Sequence, residues 1–283
     1  MTLERLAVDG KRIPSIGQGT WFMGERPQEQ ADEIRALQQG LDLGMTLIDT
    51  AEMYADGGAE RVVGRAIAGR RDEVFLVSKV YPHRAGRRSA IQACEESLRR
   101  LATDHLDLYL LHWPGSIPLA ETLEAFERLR AQGKIRRWGV SNFDTPLLRE
   151  LWKLTGGAQC AANQVLYHLA SRGIEFELLP WQREHGVPTM AYCPLAQGGA
   201  GAQSLLGNAT LADVARGRGV TPAQVALAWC VREGDVIAIP KAVDPAHVKE
   251  NAAAADLRLT ADELAKLDQA FAPPRRKMPL DIV

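Results

Sequence analysis

The sequence has almost no excess of charge of either sign. Lys and Arg number 34 against 35 Asp and Glu, and the formal net charge is -1. A nucleic-acid or anionic-membrane partner would need a strongly basic surface, so we expect neither and predict a small-molecule partner instead. Apolar runs stay well below the ~20 residues needed to cross a membrane. The first residues, Met1–Arg5, lack the pattern of a signal peptide, which favours a cytoplasmic protein.

Metal-binding patterns are missing as well. The four cysteines, at positions 94, 160, 193 and 230, form no Cys-x-x-Cys pair, and the six histidines form neither His-x-His nor His-Glu-x-x-His. We therefore expect buried, reduced thiols and no bound metal. A metal-dependent hydrolase would need paired histidines and bridging carboxylates, so the same absence disfavours that class.

A regular alternation of short apolar runs and amphipathic helical segments is present instead. It repeats eight times, which predicts parallel strands with crossover helices and hence an α/β fold, the (β/α)8 TIM barrel. The expected strands are Ile16–Gly19, Leu47–Asp49, Val74–Lys79, Leu106–Leu111, Ile135–Ser141, Cys160–Gln164, Pro188–Tyr192 and Val236–Pro240. An N-terminal β-hairpin around Asp9 and Gly10 and an extra C-terminal helix after Thr260 complete the prediction. Because no linker interrupts the pattern, residues 1–283 are expected to form one domain.

Residues able to do chemistry stand where the predicted strands end. Asp49 and Tyr54 follow the second strand, Lys79 ends the third, and His112 follows the fourth. Taken singly, each has an ordinary structural explanation as a loop cap, a packed ring or a solvated cation. Together they would meet at the mouth of the barrel, where barrel enzymes have their active sites. There Asp49 would position Lys79, and the charge of Lys79 would lower the pKa of the Tyr54 phenol.

Four motifs resemble, in order, those of the aldo-keto reductase family. They are Leu47–Tyr54, Ser78–Tyr81, Leu111–Pro114 and Gly139–Phe143. The similarity spans nearly the whole chain and is greatest to the short bacterial methylglyoxal and diketogluconate reductases. It implies an NAD(P)H-dependent carbonyl reductase with a catalytic tetrad of Asp49, Tyr54, Lys79 and His112. In this tetrad Tyr54 would give a proton to the carbonyl oxygen, and a neutral His112 would help to bind that oxygen.

The resemblance also implies a cofactor site. Its residues would be Gly19, Thr20, Ser141, Asn142, Gln164, Tyr192, Pro194, Leu195, Lys241, His247, Glu250 and Asn251. In the family pattern, Ser141, Asn142 and Gln164 would bind the nicotinamide carboxamide, and Tyr192 would stack on the nicotinamide ring. The pyrophosphate would lie near Pro194.

The segment expected to bind the adenosine phosphate departs from the family pattern. Ala242 stands where a hydroxyl residue is common, His247 where an arginine is common, and Asp244 adds a negative charge. A mostly neutral histidine is a weaker phosphate ligand than a guanidinium, whereas Lys241 keeps one cation in place. NADPH therefore remains the expected cofactor, with NADH as an alternative.

Four aromatic residues resemble the pocket wall of the family: Trp21, Phe22, Tyr81 and Trp113. Each also suits simple packing beneath a loop, but together they predict an apolar pocket. The short tail after Lys277 implies an open, permissive site. We expect methylglyoxal and other small or aromatic 2-oxoaldehydes as substrates, and a monomer or weak dimer. The alternative is an NADPH-sensing binding protein with this fold and little turnover.

Overall fold

Eight short parallel strands form one curled sheet within residues 13–283, the part of the chain that a computed structural model describes. In chain order they are β1 (Gln18–Gly19), β2 (Leu47–Asp49), β3 (Phe75–Val80), β4 (Leu106–Leu111), β5 (Ile135–Ser141), β6 (Asn163–Leu166), β7 (Thr189–Tyr192) and β8 (Val236–Ala238). Ile16 pairs in parallel with Ala238, and the Gly17 amide donates to the Ala238 carbonyl at 2.8 Å. These contacts join the first strand to the last and close the sheet into a barrel.

Helices cover the outside of this barrel. They are α1 (Gln30–Asp42), α2 (Gly58–Ala66), α3 (Ser89–Leu101), α4 (Leu119–Ala131), α5 (Thr145–Lys153), α6 (Leu178–Glu184), α7 (Ala200–Leu206), α8 (Ala209–Arg218), α9 (Pro222–Cys230), α10 (Pro245–Ala253) and α11 (Ala261–Ala270). Both capping boxes read from the sequence exist: Thr221 and Gln224 begin α9, and Thr260 and Glu263 begin α11. Each box satisfies backbone groups that the first turn of a helix leaves without partners.

Two apolar clusters show whether a side chain of β2, β3 or β4 points into the barrel or outwards to the helices. Leu47, Val77 and Leu110 belong to a small cluster inside the barrel. Their chain neighbours Ile48, Leu76 and Leu111 belong to the larger cluster that packs against the helices. Side chains of a strand alternate between its two faces, so the next inward positions after Leu47, Val77 and Leu110 are 49, 79 and 112. The apolar interior of the barrel thus ends, at its mouth, in the tetrad residues.

Some predicted boundaries need correction. The sixth strand begins at Asn163 rather than Cys160, because the Cys160 amide donates at 3.1 Å to Gly157 in a preceding turn. The strand continues to Leu166, where it still pairs with Tyr192 of β7. The hairpin predicted around Asp9 and Gly10 lies outside the described residues. Among residues 13–283, no helix combines the length and the hydropathy needed to cross a membrane.

Candidate active site

A buried lysine forms the centre of the mouth of the barrel. Lys79 is 0% exposed, and its Nζ lies 2.7 Å from Asp49 Oδ2, 2.9 Å from the Thr50 carbonyl and 3.2 Å from the Tyr54 hydroxyl. All three ammonium hydrogens therefore have an acceptor. Burial raises the pKa of the Asp49 carboxyl and lowers that of the Lys79 ammonium, while the attraction between the two charges opposes both shifts. The arrangement fixes one ammonium hydrogen on the phenol oxygen of Tyr54.

The Tyr54 phenol is held in its protonated form. Burial, followed by the negative charge of Asp49, raises its pKa well above the ordinary value. The lowering effect expected from the Lys79 charge is outweighed by burial and by the Asp49 carboxylate, so the net shift of the Tyr54 pKa is upward. Lys79 lies closer to the Asp49 carboxylate than to the phenol, so that carboxylate neutralises much of its charge. A protonated phenol facing a cavity is a group that can donate a proton.

His112 stands beside Tyr54, directly after β4. The two rings meet edge-on with their centroids 5.8 Å apart. Burial and, to a lesser extent, the charge of Lys79 lower the pKa of His112 to about 2. The imidazole is therefore neutral at physiological pH and carries a single N–H donor.

Polar side chains from β5, β6 and β7 complete the floor of the mouth. Asn142, with a left-handed φ of 60°, donates through Nδ2 to the His112 carbonyl at 3.1 Å and accepts from the Tyr192 hydroxyl at 2.9 Å. Ser141 Oγ donates to the Gln164 carbonyl at 2.9 Å. Gln164 Nε2 donates to Asp49 Oδ1 at 2.7 Å. Asn142 and Gln164, two of the three residues predicted to bind a carboxamide, are thus hydrogen-bonded to tetrad residues, and Ser141 is hydrogen-bonded to Gln164.

The tetrad lies at the floor of a cavity of about 930 Å³. The predicted site residues that line it are Gly19, Thr20, Trp21, Phe22, Asp49, Tyr54, His112, Trp113, Ser141, Asn142, Gln164, Tyr192, Pro194, Leu195 and Lys241. Lys79 is behind this surface, covered by its partners. Tyr81 is also outside the lining and packs edge-on against Trp113, with centroids 5.9 Å apart. The volume is near the upper end of the range for small-molecule sites.

The segment expected to hold the adenosine phosphate is only partly at the cavity. Lys241 lines the cavity, whereas His247, Glu250 and Asn251 are outside its lining. His247 is exposed and Asn251 is buried, while Glu250 Oε2 accepts from Thr221 Oγ1 at 3.2 Å. Asp244 caps α10, its carboxylate accepting from the Ala246 amide at 2.7 Å. A negative charge therefore already stands at the N-terminus of this helix.

An aromatic stack forms one wall of the cavity. The ring of Trp21 stacks on Phe22 with centroids 4.6 Å apart and on Tyr54 with centroids 6.3 Å apart. Phe22 is 49% exposed and has a left-handed φ of 67°, which is unusual for a bulky residue. The cavity wall is therefore apolar next to the phenol and partly strained in its backbone.

The C-terminal tail supplies a wall that the sequence reasoning missed. Leu280, Ile282 and Val283 line the cavity. The tail is held by Lys277 Nζ, 2.5 Å from Asp144 Oδ1, and by Asp281, whose carboxylate accepts from Ser171. The tail therefore forms part of the cavity wall, a contact that we did not predict. The apolar residues of the sequence MPLDIV, which follows the basic run at 275–277, are the signal from which this contact could have been predicted.

One cysteine also departs from expectation. Cys94, Cys160 and Cys230 are buried, but Cys193 is only partly buried and lines the cavity. It follows β7 with a left-handed φ of 47°. Burial raises the pKa of its thiol to about 11, so the thiol is protonated and weakly nucleophilic at neutral pH. Within residues 13–283, no group of three His, Cys, Asp or Glu side chains is arranged to hold a metal ion.

Comparison with known proteins places this geometry in one family. The model of the aldo/keto reductase family matches residues 15–272. The chain is 58% identical over 271 residues to methylglyoxal reductase YeaE of Escherichia coli (strain K12), covering 96% of this chain and 95% of the relative. It is 34% identical to a glyoxal reductase of Bacillus subtilis (strain 168), covering 92% of this chain and 90% of the relative. An aldo/keto reductase from Klebsiella pneumoniae, solved in complex with NADP and acetate, is 58% identical with a TM-score of 0.94, covering 96% of both chains. The chain therefore belongs to the aldo/keto reductase family of enzymes.

Proposed function

We propose that the protein is an NADPH-dependent carbonyl reductase for small or aromatic aldehydes and 2-oxoaldehydes such as methylglyoxal, with residues 1–283 acting as one catalytic domain. The observation that carries this proposal is the position of Lys79 Nζ, 2.7 Å from Asp49 and 3.2 Å from Tyr54 at the floor of the cavity. The names of two relatives, a methylglyoxal reductase and a glyoxal reductase, support the choice of 2-oxoaldehydes. The apolar wall suits compact, weakly polar substrates.

The residues around the cavity fit a nicotinamide cofactor. Gln164 lines the cavity, and its Oε1 has no hydrogen-bond partner among residues 13–283. A free amide acceptor of this kind suits the N–H groups of a carboxamide. Lys241 is exposed at the edge of the cavity and offers a cation to a phosphate. A bound NADPH would supply the hydride that reduces the carbonyl carbon, and two solved relatives from Klebsiella pneumoniae contain NADP or NADPH.

Tyr54 is the proton donor in this proposal. Its raised pKa keeps the proton on the phenol until a carbonyl oxygen gains negative charge beside it. The phenolate that remains would lie within 3.2 Å of Lys79 Nζ, whose positive charge stabilises it. Asp49 holds that ammonium in place and offsets the cost of burying it.

His112 would be the second donor to the same oxygen. Its Nδ1 is buried and has no hydrogen-bond partner in the described part of the chain. A buried N–H without an acceptor is rarer in proteins than an unpaired acceptor, so the single proton of the neutral ring is expected on Nε2. A neutral Nε2–H beside Tyr54 gives the oxyanion a hydrogen bond without adding a second cation next to Lys79.

Cofactor choice follows from the charges near α10. Lys241 favours the extra phosphate of NADPH, whereas the Asp244 carboxylate at the N-terminus of α10 opposes it. We therefore propose that NADPH is preferred and that NADH is also accepted.

The test is the substitution Tyr54→Phe, which removes only the hydroxyl. Methylglyoxal reduction is followed through nicotinamide absorbance with NADPH and NADH in parallel, and NADPH binding through tryptophan fluorescence. We expect kcat to fall by about 100- to 10,000-fold with the dissociation constant of NADPH nearly unchanged. A variant with near-normal kcat would exclude Tyr54 as the proton donor. A wild-type protein that binds NADPH but reduces no carbonyl of an aldehyde panel would contradict the proposed reductase.

A further inference from the structure

The Asp49 carboxylate is shared between partners on two sides of the barrel. Oδ2 accepts from Lys79 Nζ at 2.7 Å, and Oδ1 accepts from Gln164 Nε2 at 2.7 Å. Gln164 is in β6, four strands away from β2 in the eight-stranded barrel and so on its opposite side. This hydrogen bond therefore crosses the barrel interior. Asp49 is 2% exposed and Gln164 is 1% exposed. A hydrogen bond to a charged group is short and strong in surroundings of this kind.

Chemistry fixes the orientation of the Gln164 amide. An ionised carboxylate only accepts hydrogen bonds, so the NH₂ group of Gln164, and not its oxygen, must face Asp49. The backbone of Gln164 is held as well, because its carbonyl accepts from Ser141 Oγ at 2.9 Å and from the Asn142 amide at 2.8 Å. Gln164 is therefore a fixed donor against which the Asp49 carboxylate is aligned.

We propose that Gln164 is a positioning residue for proton transfer: it holds the Asp49 carboxylate, which in turn holds Lys79 against Tyr54. This role is separate from the carboxamide contact that the family resemblance implies, and it rests on the proposed function because it presupposes proton donation by Tyr54. Without the donor at Oδ1, the carboxylate is free to rotate about its Cβ–Cγ bond. The Lys79 ammonium, whose three hydrogens are all committed, would follow it away from the phenol.

Gln164→Leu is the substitution that tests the proposal, because leucine has a similar size and no hydrogen-bonding group. We expect a fall in kcat of about tenfold or more and an upward shift of at least about half a pH unit in the alkaline limb of the kcat profile. The shift follows because a less firmly held Lys79 stabilises the Tyr54 phenolate less. Loss of the carboxamide contact alone would weaken NADPH binding, measured by tryptophan fluorescence, and leave this pH midpoint in place.

A double-mutant cycle with Asp49→Ala separates the two roles directly. If Gln164 acts through Asp49, Gln164→Leu lowers kcat less than about twofold in the Asp49→Ala background. Equal losses in both backgrounds, or an unchanged pH midpoint in the single variant, overturn the positioning role. These results do not touch the reductase itself, which fails only if the wild-type protein reduces no carbonyl substrate.

Gln182 provides a matched control. It is another buried glutamine, 1% exposed, whose Nε2 donates to Thr189 Oγ1 at 2.9 Å and whose Oε1 accepts from Asn163 Nδ2 at 3.1 Å. None of these partners belongs to the tetrad. Gln182→Leu should therefore lower the stability of the fold while leaving the pH midpoint of kcat at the wild-type value. A midpoint that moves equally in both variants would show a general structural effect and overturn the proposal.

Discussion

The barrel has an ion pair with a buried carboxylate at each of its two ends, and the two pairs use different cations. At the mouth, Lys79 Nζ lies 2.7 Å from Asp49 Oδ2. At the opposite end, which we call the base, Arg71 Nη2 lies 2.8 Å from Asp107 Oδ2, next to the starts of β3 and β4. Asp49 is 2% exposed and Asp107 is 3% exposed. The two carboxylates are thus equally hidden from water, and the cations make the difference.

The guanidinium of Arg71 makes structural hydrogen bonds at the base of the barrel. It donates to Thr103 Oγ1 at 3.0 Å, to the Val74 carbonyl at 2.9 Å and to the His105 carbonyl at 2.9 Å, in addition to Asp107. These bonds tie together the turns that precede β3 and β4. A guanidinium keeps its proton under all ordinary conditions and offers a rigid, planar set of donors. The pair at the base therefore has the character of a structural connection.

Lys79 instead has one of its three hydrogens on the hydroxyl of Tyr54, which lines the cavity. An ammonium is a compact charge, and burial shifts its pKa readily. The same Coulomb attraction thus serves two purposes. At the base it stabilises the fold, and at the mouth it places a positive charge against a phenol that can give up its proton.

The largest expected effect comes from removing one charge from each pair in turn. Asp49→Asn should lower kcat/KM for methylglyoxal by about 100-fold or more, because Lys79 loses the carboxylate that holds it. Asp107→Asn should leave kcat/KM within about twofold but reduce the free energy of unfolding by about 3 kcal/mol, because it leaves Arg71 without its counter-charge. Steady-state kinetics with NADPH and urea unfolding measure the two quantities. Similar activity losses in both variants would remove the distinction between mouth and base.

A smaller effect is expected at the mouth, on the free energy of unfolding, through the neutral His112 near Lys79. Its pKa is lowered to about 2 in the folded protein, whereas an imidazole in an unfolded chain titrates near about 6.5. Below that pH the unfolded chain binds a proton that the folded protein does not, so His112 makes the free energy of unfolding fall as the pH falls.

His112→Gln should remove this contribution. Between pH 6 and pH 4, the free energy of unfolding of the variant should fall less steeply than that of the wild type, by about 1 kcal/mol per pH unit. Urea unfolding at pH 4, 5 and 6 gives both slopes. Parallel curves for the two proteins would mean that the folded protein protonates His112 as easily as the unfolded chain does.

The sequence was most informative where a short, regular pattern of apolar and polar residues predicts a strand and where that strand ends. The positions of Asp49, Lys79 and His112 at the ends of predicted strands were enough to predict that they would converge. The structure shows that each is the next inward position after an apolar residue of its strand. The hydrogen bond from Gln164 to Asp49 could not be read in this way, since it joins residues 115 positions apart and exists only once the barrel is closed. The direction of the Tyr54 pKa shift was missed because it depends mainly on how completely the folded barrel buries the phenol, and then on the nearby Asp49 carboxylate.

The smallest expected effects lie in the turns of the base. Turns leading into strands there use glycine for left-handed backbone at Gly44, Gly69, Gly133, Gly186 and Gly234. Ala102, before β4, is an exception with a φ of 52°. At the mouth, left-handed backbone occurs at Gly24, Gly57 and Gly199 but also at residues whose side chains line the cavity, including Phe22, Asn142 and Cys193. Non-glycine residues with left-handed backbone are thus more frequent at the mouth, where several of their side chains line the cavity, than in the turns of the base.

Ala102→Gly should therefore stabilise the protein. Relief of the left-handed strain is worth about 1–2 kcal/mol, and the added freedom of the unfolded chain takes back about 0.5–1 kcal/mol, so the free energy of unfolding should rise by up to about 1.5 kcal/mol. The reverse change, Gly133→Ala, should lower it by a similar amount, because Gly133 has a φ of 74° although an added Cβ would meet nothing within 4 Å. Urea unfolding measures both changes, and kcat should stay at the wild-type value in each. If Ala102→Gly destabilised the protein, the alanine side chain would stabilise the turn before β4 by more than its left-handed backbone costs. The base and the mouth would then no longer differ in how they use strained backbone.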